Sequence, residues 1–217
     1  MHIPDGVLSG SAAGIGVLAA GAAVAAAGTV VGLRRMDYER VPQVALLSAA
    51  FFVASCIRVP VGLTSAHLVL NGLTGLILGW AAFPAILIAL FLQAVLFGFG
   101  GFTTLGVNAV TMALPAVVGY GLYHRAVHSR YDAVAVSCGF AAGVTAFALS
   151  VLLFSLSLMA AGAAFKTPAQ GLFLLHLPLA LVEGTVTASV VVLLRKVRPE
   201  LLDAPLLAAV QPEGSDA

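Results

Sequence analysis

The sequence predicts an all-α, polytopic membrane bundle of seven transmembrane helices, and three observations carry that prediction. The 217-residue chain is 61% hydrophobic and only 9% charged, whereas a soluble domain carries about 25% charged residues. Its mean hydropathy is +1.09, and its apolar runs approach the roughly 20 residues that a helix needs to cross a hydrocarbon core. Its bases gather in alternate loops.

Ser11 to Leu33 forms the first span, rich in Ala and Gly and closed by Arg34, Arg35, Asp37, Glu39 and Arg40. Val41 to Ile57 forms the second. Leu68 to Phe97, broken near Trp80 to Pro84, suits two short spans, the third and fourth. Asn108 to Tyr123 forms the fifth, behind the Gly-rich FGFGGFTTLGVN. Asp132 to Ala160 forms the sixth, and Leu172 to Leu194 the seventh, followed by Arg195, Lys196 and Arg198. With the N-terminus outside and the C-terminus cytoplasmic, eight Arg and Lys residues fall inside and only Arg58 and Lys166 outside, as the positive-inside rule requires. Three regions result: an extracellular N-terminal segment (1–10), a seven-span domain (11–198) and a cytoplasmic tail (199–217). The first span is expected to be retained, because a secretory signal wants bases before a short apolar run and MHIPDGVLSG has none.

Composition excludes several functions. A formal net charge of +1 with no basic block gives no footprint for nucleic acid. There is no G-x-x-x-x-G-K-[ST], H-E-x-x-H or G-x-S-x-G, so the chain builds neither a P-loop nor the common hydrolase signatures. Cys56 and Cys138 lie in apolar runs and read as small buried hydrophobes. Ionisable groups deep in a membrane are costly and usually functional; here they are Glu183, mid-way along the seventh span, and His176 near its outer end. They leave two rival readings open, an intramembrane enzyme using Glu183 and His176, and a proton-coupled metal carrier without ATPase partners. His124 and His128, flanked by Arg125 and Arg130, read as a solvated cytoplasmic loop.

His2 and His67 both fall on the outer side. A residue-two histidine offers the Met1 amine, its own deprotonated amide and its ring Nδ1 in fused chelate rings, and His67 can supply a fourth coplanar nitrogen. Square-planar nitrogen coordination suits Ni(II) or Cu(II), and nitrogen-rich sites also hold Co(II). Magnesium and calcium, which require oxygen, do not suit it. Ile3-Pro4 disfavours helix and Asp5-Gly6 favours a turn, so the terminus is expected to be bent and able to insert into the bundle mouth.

MHIPDGVLS, TSAHLVLNG, LFGFGGFTTLGVNAVTMALP and HLPLALVEGTVT, in that order, resemble the CbiM/NikM family, the substrate-binding membrane components of energy-coupling factor importers of cobalt or nickel. The resemblance implies a bundle with the terminus tucked into it, ligands at Met1, His2 and His67, and no resident cofactor, Co2+ or Ni2+ being cargo. It implies a transmembrane scaffold subunit of CbiQ/NikQ type, cytoplasmic ATPase subunits, a small CbiN/NikN-type membrane subunit, and a bacterial or archaeal plasma membrane. Phe99 departs from the family pattern, which often has a polar residue there. Ser65, Asn71, Thr103, Thr104, Asn108 and Glu183 are the candidates for orienting ligands or gating the mouth. Small residues at Ala12, Gly16 and Ala20, and at Ala13, Gly21 and Ala25, permit close helix approach, toward either the scaffold or the chain's own bundle.

Overall fold

The computed structural model describes residues 2–61, 64–162 and 166–202. Among them the chain forms seven α-helices and one small antiparallel hairpin: α1 (Ala12–Arg34), α2 (Val41–Cys56), β1 (Arg58–Val61), β2 (Thr64–His67), α3 (Asn71–Leu78), α4 (Ala82–Phe97), α5 (Leu105–Val127), α6 (Asp132–Ala161) and α7 (Lys166–Val197). Among the described residues five segments are long and apolar enough to cross a membrane: Ala12–Arg34, Asn71–Phe97, Leu105–Val127, Asp132–Ala161 and Pro178–Val197. At 16 residues, α2 is about 24 Å long at a rise of 1.5 Å per residue, short of a full crossing.

Close packing here depends on glycine, as expected where lipid gives helices no hydrophobic reason to associate. The buried face of α1 is Gly14, Gly21, Ala25, Gly28 and Gly32. A Cβ on Gly21 would lie 2.5 Å from Val107, and one on Gly32 would lie 2.5 Å from the Trp80 carbonyl oxygen. Gly21 and Ala25 therefore face the chain's own bundle, while Ala12, Gly16 and Ala20 point outward. α3 is wedged between α5 and α6, where a Cβ on Gly75 would lie 2.1 Å from the Ala116 oxygen and one on Gly72 would lie 2.6 Å from the Gly143 Cα. All eight residues of α3 are buried.

The Asn71–Phe97 segment is not one straight rod. A 3-10 turn, Gly79–Ala81, separates its two helices, and Gly79 has a positive φ of 55°, which glycine adopts without a Cβ penalty. Trp80 in that turn lies under the Arg35 guanidinium at the C-terminal end of α1, 5.3 Å from the ring centroid. His67 before α3 and Phe99 after α4 both meet the ring of His2. The chain thus runs away from His2 along α3 and doubles back toward it along α4.

One local expectation is corrected and two features are new. The second span leads into the hairpin, where Arg58 pairs with His67 and Pro60 with Ser65. α5 continues four residues past Tyr123, so His124 lies in a helix, 7% exposed, rather than on a solvated loop; its ring packs on Tyr120. The chain after Arg198 also packs back: Leu202 is buried, and Gln43 Nε2 donates to the Leu201 carbonyl at 3.1 Å.

Candidate metal centre

The terminal segment enters the bundle mouth on two apolar plugs, Ile3 and Leu8, both 0% exposed. Burying such a side chain contributes about 1.5–3 kcal/mol. Between the plugs the backbone is irregular; the Gly6 carbonyl accepts from Ser9 Oγ at 3.0 Å, and the polar groups of Ile3 and Asp5 find partners on α5 or on the Gly-rich loop that precedes it. Asn108 grips Ile3 on both sides: its Oδ1 accepts from the Ile3 N–H at 2.9 Å and its Nδ2 donates to the Ile3 carbonyl at 3.1 Å. Thr104 Oγ1 donates to the same carbonyl at 2.8 Å. The Asp5 N–H donates to the Gly100 carbonyl at 2.9 Å. The Asp5 carboxylate accepts from the Thr103 backbone N–H at 3.1 Å and from the Thr103 hydroxyl. A Cβ on Gly101 would lie 2.0 Å from the Asp5 carboxyl carbon, so only glycine leaves room there for the terminus.

This docking brings the rings of His2 and His67 together, centroids 5.1 Å apart and planes 28° apart. For one metal held by two imidazoles at about 2.1 Å, with about 1.1 Å more to each ring centre, the centroids sit about 4.5 Å apart at 90° and about 5.2 Å apart at 109°. The observed 5.1 Å lies near the 109° value, and a square-planar arrangement would draw the two rings about 0.6 Å closer. Neighbours also set the tautomers. His2 Nε2 lies 2.8 Å from Gln93 Oε1; an amide oxygen only accepts, so Nε2 carries the proton and Nδ1 the lone pair. Gln93 is held in turn, because its Nε2 donates to Ser55 Oγ and Ser55 Oγ donates to the Phe52 carbonyl. His67 Nδ1 lies 3.1 Å from the Leu68 carbonyl, which leaves Nε2 as the lone-pair nitrogen. Such outer hydrogen bonds fix ring orientation at metal sites.

Glu183 governs the far side. It is 0% exposed, and its carboxylate accepts from the backbone N–H groups of Val69 and Leu70, the latter at 3.0 and 3.1 Å. Leu70 has a positive φ of 52°, a conformation that non-glycine residues rarely adopt. Glu183 thereby anchors the strained turn that aims His67. His176, two turns earlier on α7, stacks near Phe147 at 6.1 Å.

The expected residues divide accordingly. His2 and His67 meet; Thr103, Thr104 and Asn108 hold the terminus, and Glu183 holds the turn after His67. Asn71 instead knits helices, its Nδ2 donating to Met112 and Ala146 carbonyls and to Ser150 Oγ. Phe99 lies beside His2, ring centroids 6.3 Å apart. Ser65 sits in β2 opposite Pro60, and Met1 and the side chain of Ser65 lie outside the described residues. Sequence reasoning missed Asp5 as an anchor, and Gln93 with Ser55. The signal for Gln93 was a lone amide in the apolar run AFPAILIALFLQAVLF. Among the described residues no three His, Cys, Asp or Glu side chains cluster to hold a metal.

The family model that describes a cobalt uptake substrate-specific transmembrane region, CbiM, matches residues 2–201. The chain belongs to the CbiM family. Among CbiM-like relatives it is 43% identical to a Haemophilus influenzae protein whose name assigns it to metal transport, over 94% of this chain and 97% of the relative. It is 36% identical to the fused nickel transport protein NikMN of Rhodobacter capsulatus, over 98% of this chain and 67% of the relative. It is 35% identical to the cobalt transport protein CbiM of Sorangium cellulosum, over 80% and 81%. A crystal structure of a transition metal transporter superposes with a TM-score of 0.76 at 30% identity, covering 91% of this chain and 93% of that one. The chain is thus a multi-pass membrane protein of a cobalt and nickel uptake family, and its relatives are named as transporters rather than enzymes.

Proposed function

We propose that this chain is the substrate-capturing membrane component of an energy-coupling factor importer, taking Co2+ or Ni2+ from outside a bacterial or archaeal plasma membrane. The observation that carries the reading is the His2–His67 pair, with ring centroids 5.1 Å apart and hydrogen bonds that leave His2 Nδ1 and His67 Nε2 as acceptors. With no third described His, Cys, Asp or Glu beside them, further donors come from the main chain. The Met1 amine and the deprotonated His2 amide complete four nitrogens, a set that suits a late transition metal and rejects Mg2+ and Ca2+.

Seven spans with the N-terminus outside, α2 and α3 being short ones, are the topology we assign, supported by the doubling back at Trp80 and by the gathering of bases in alternate loops. The ion loses its water to Met1, His2 and His67 and is covered by the loop from Gly98 to Thr104. ATP hydrolysis in partner subunits, transmitted through a scaffold subunit of CbiQ/NikQ type, then reorients the bundle toward the cytoplasm. No resident cofactor is needed. The fused NikMN relatives support a small NikN-type companion.

Replacing His2 with alanine tests the chelate. The substitution removes the ring nitrogen that closes the fused chelate without touching His67, and Ni(II) affinity should fall at least about a hundredfold, the weight of a lost metal–nitrogen bond and its chelate ring. Unchanged affinity in that variant, or in His67→Ala, refutes the four-nitrogen site. Uptake by this chain alone in vesicles, without ATPase subunits, refutes the coupling.

A further inference from the structure

At the opposite end of α5 from the Ile3 grip, His124 and His128 stand one turn apart on one face, as i and i+4 residues do. Sixteen residues separate Asn108 from His124, about 24 Å of helix at 1.5 Å per residue. The two rings lie 4.9 Å apart by centroid, with planes crossing at 68°. That spacing again falls between the about 4.5 Å and about 5.2 Å expected for two imidazoles sharing one metal at 90° and 109°.

Other features of the pair suit an ion. His124 is 7% exposed, and its inner side is walled by the ring of Tyr120, 4.6 Å away and itself 4% exposed. His128 Nε2 lies 3.2 Å from the Leu202 carbonyl; a carbonyl only accepts, so Nδ1 carries the lone pair. The carbonyls that end α5 add negative potential, which favours a cation at a helix C-terminus. Against this stand Arg125 and Arg130 on the adjoining turns. The nearby carboxylate of Asp132 is paired with Arg195 at 2.9 Å.

We propose that His124 and His128 form a second, weaker transition-metal site that receives the ion after it leaves His2 and His67. The proposal rests on the metal-uptake reading above. Two neutral imidazoles among arginines hold a dication less tightly than four nitrogens that include an anionic amide, and a release site must be weak. Imidazole donors select Ni(II), Co(II), Cu(II) or Zn(II) over Mg(II).

The test is equilibrium dialysis of the full, untagged chain in detergent against Ni(II) alone. Two ions per chain are expected, the second bound at least about tenfold more weakly. His2→Ala should keep only the weaker ion, and His124→Ala or His128→Ala only the tighter one. His128 is exposed, so its variant should fold even if the buried His124→Ala does not. A single ion on the parent chain that His128→Ala leaves bound, or a second ion that survives His128→Ala, overturns the proposal. A weaker ion lost with His128→Ala while the parent chain shows no tight ion would sustain this site and refute the uptake reading, so the two fail separately.

Discussion

Replacing Asn108 with leucine should detach the terminus, because one side chain satisfies both polar groups of the Ile3 peptide. Leucine keeps the branched outline of asparagine, with somewhat more bulk, but neither accepts from the Ile3 N–H nor donates to its carbonyl, contacts of 2.9 and 3.1 Å. The carbonyl keeps Thr104, so the main loss is one buried, unsatisfied N–H, about 1–3 kcal/mol. Ordering a chain costs about 1–2 kcal/mol per residue. Against that cost the segment has two apolar plugs and a few hydrogen bonds, so its docking margin is small. As the docked fraction falls, apparent metal affinity falls in proportion. Calorimetric titration of Ni(II) onto protein with its native terminus should show Kd raised between about fivefold and 150-fold, the upper figure corresponding to 3 kcal/mol. Thr104→Val should cost less alone and combine non-additively with Asn108→Leu, since both address the Ile3 carbonyl. A Kd within twofold of the parent, in a variant that melts normally, refutes the docking argument.

Gly101→Ala sets a Cβ 2.0 Å from the Asp5 carboxyl at a φ of +136° and should weaken Ni(II) binding at least about tenfold; Gly16→Ala, with nothing within 4 Å, should leave it unchanged. Gln93→Leu removes the acceptor that fixes the His2 tautomer and should cost about 10–100-fold in affinity, with altered hyperfine couplings in the Cu(II) resonance spectrum of the site. Glu183→Ala strands two buried N–H groups, about 2–6 kcal/mol. It should lower the melting temperature and the affinity together, while Glu183→Gln, which keeps an amide oxygen as acceptor, should recover most of both; a normal melt for Glu183→Ala would remove the anchor role. Binding by deprotonated nitrogens releases protons, so Ni(II) affinity should rise from pH 5 to pH 8, and a flat profile would count against amide and imidazole ligation.

The helices were legible because lipid imposes a simple rule on composition: six of the seven begin within three residues of the expected apolar limits, and the seventh, α7, starts six residues early. The hairpin was not legible. Its strands span only four residues each, too short for a period-two pattern to stand out from an apolar run. The burial of His124 was hidden by its neighbours, because Arg125 and Arg130 suggest solvent, whereas α5 simply turns one face inward and the other outward. The site was half legible. Residue types and a bent terminus point to His2 and His67, but the contacts that place them, Asp5 to Thr103 and His2 to Gln93, join positions about a hundred residues apart and leave no local trace.

The polar residues of this charge-poor chain make sense as partners for backbone that is not helical. Within a bilayer, irregular backbone is tolerated only where protein or water satisfies its N–H and C=O groups. The proposed ligands sit on such backbone: His2 on the segment before α1, and His67 at the end of β2, before the strained Leu70. A helical position would have satisfied its own amides and withheld them from a metal, whereas a terminus leaves its amine and first amide available. Each irregular stretch is then matched by a side chain from a helix or its approach: Asn108 and Thr104 to Ile3, Thr103 to Asp5, Glu183 to Val69 and Leu70. Replacing any one by an apolar residue should therefore act on metal binding through the position of main-chain atoms rather than through a lost ligand. Asn71 and Ser150 are interior polar residues outside this pattern; they bind each other and lie between helices, where a substitution should change stability and leave metal selectivity alone.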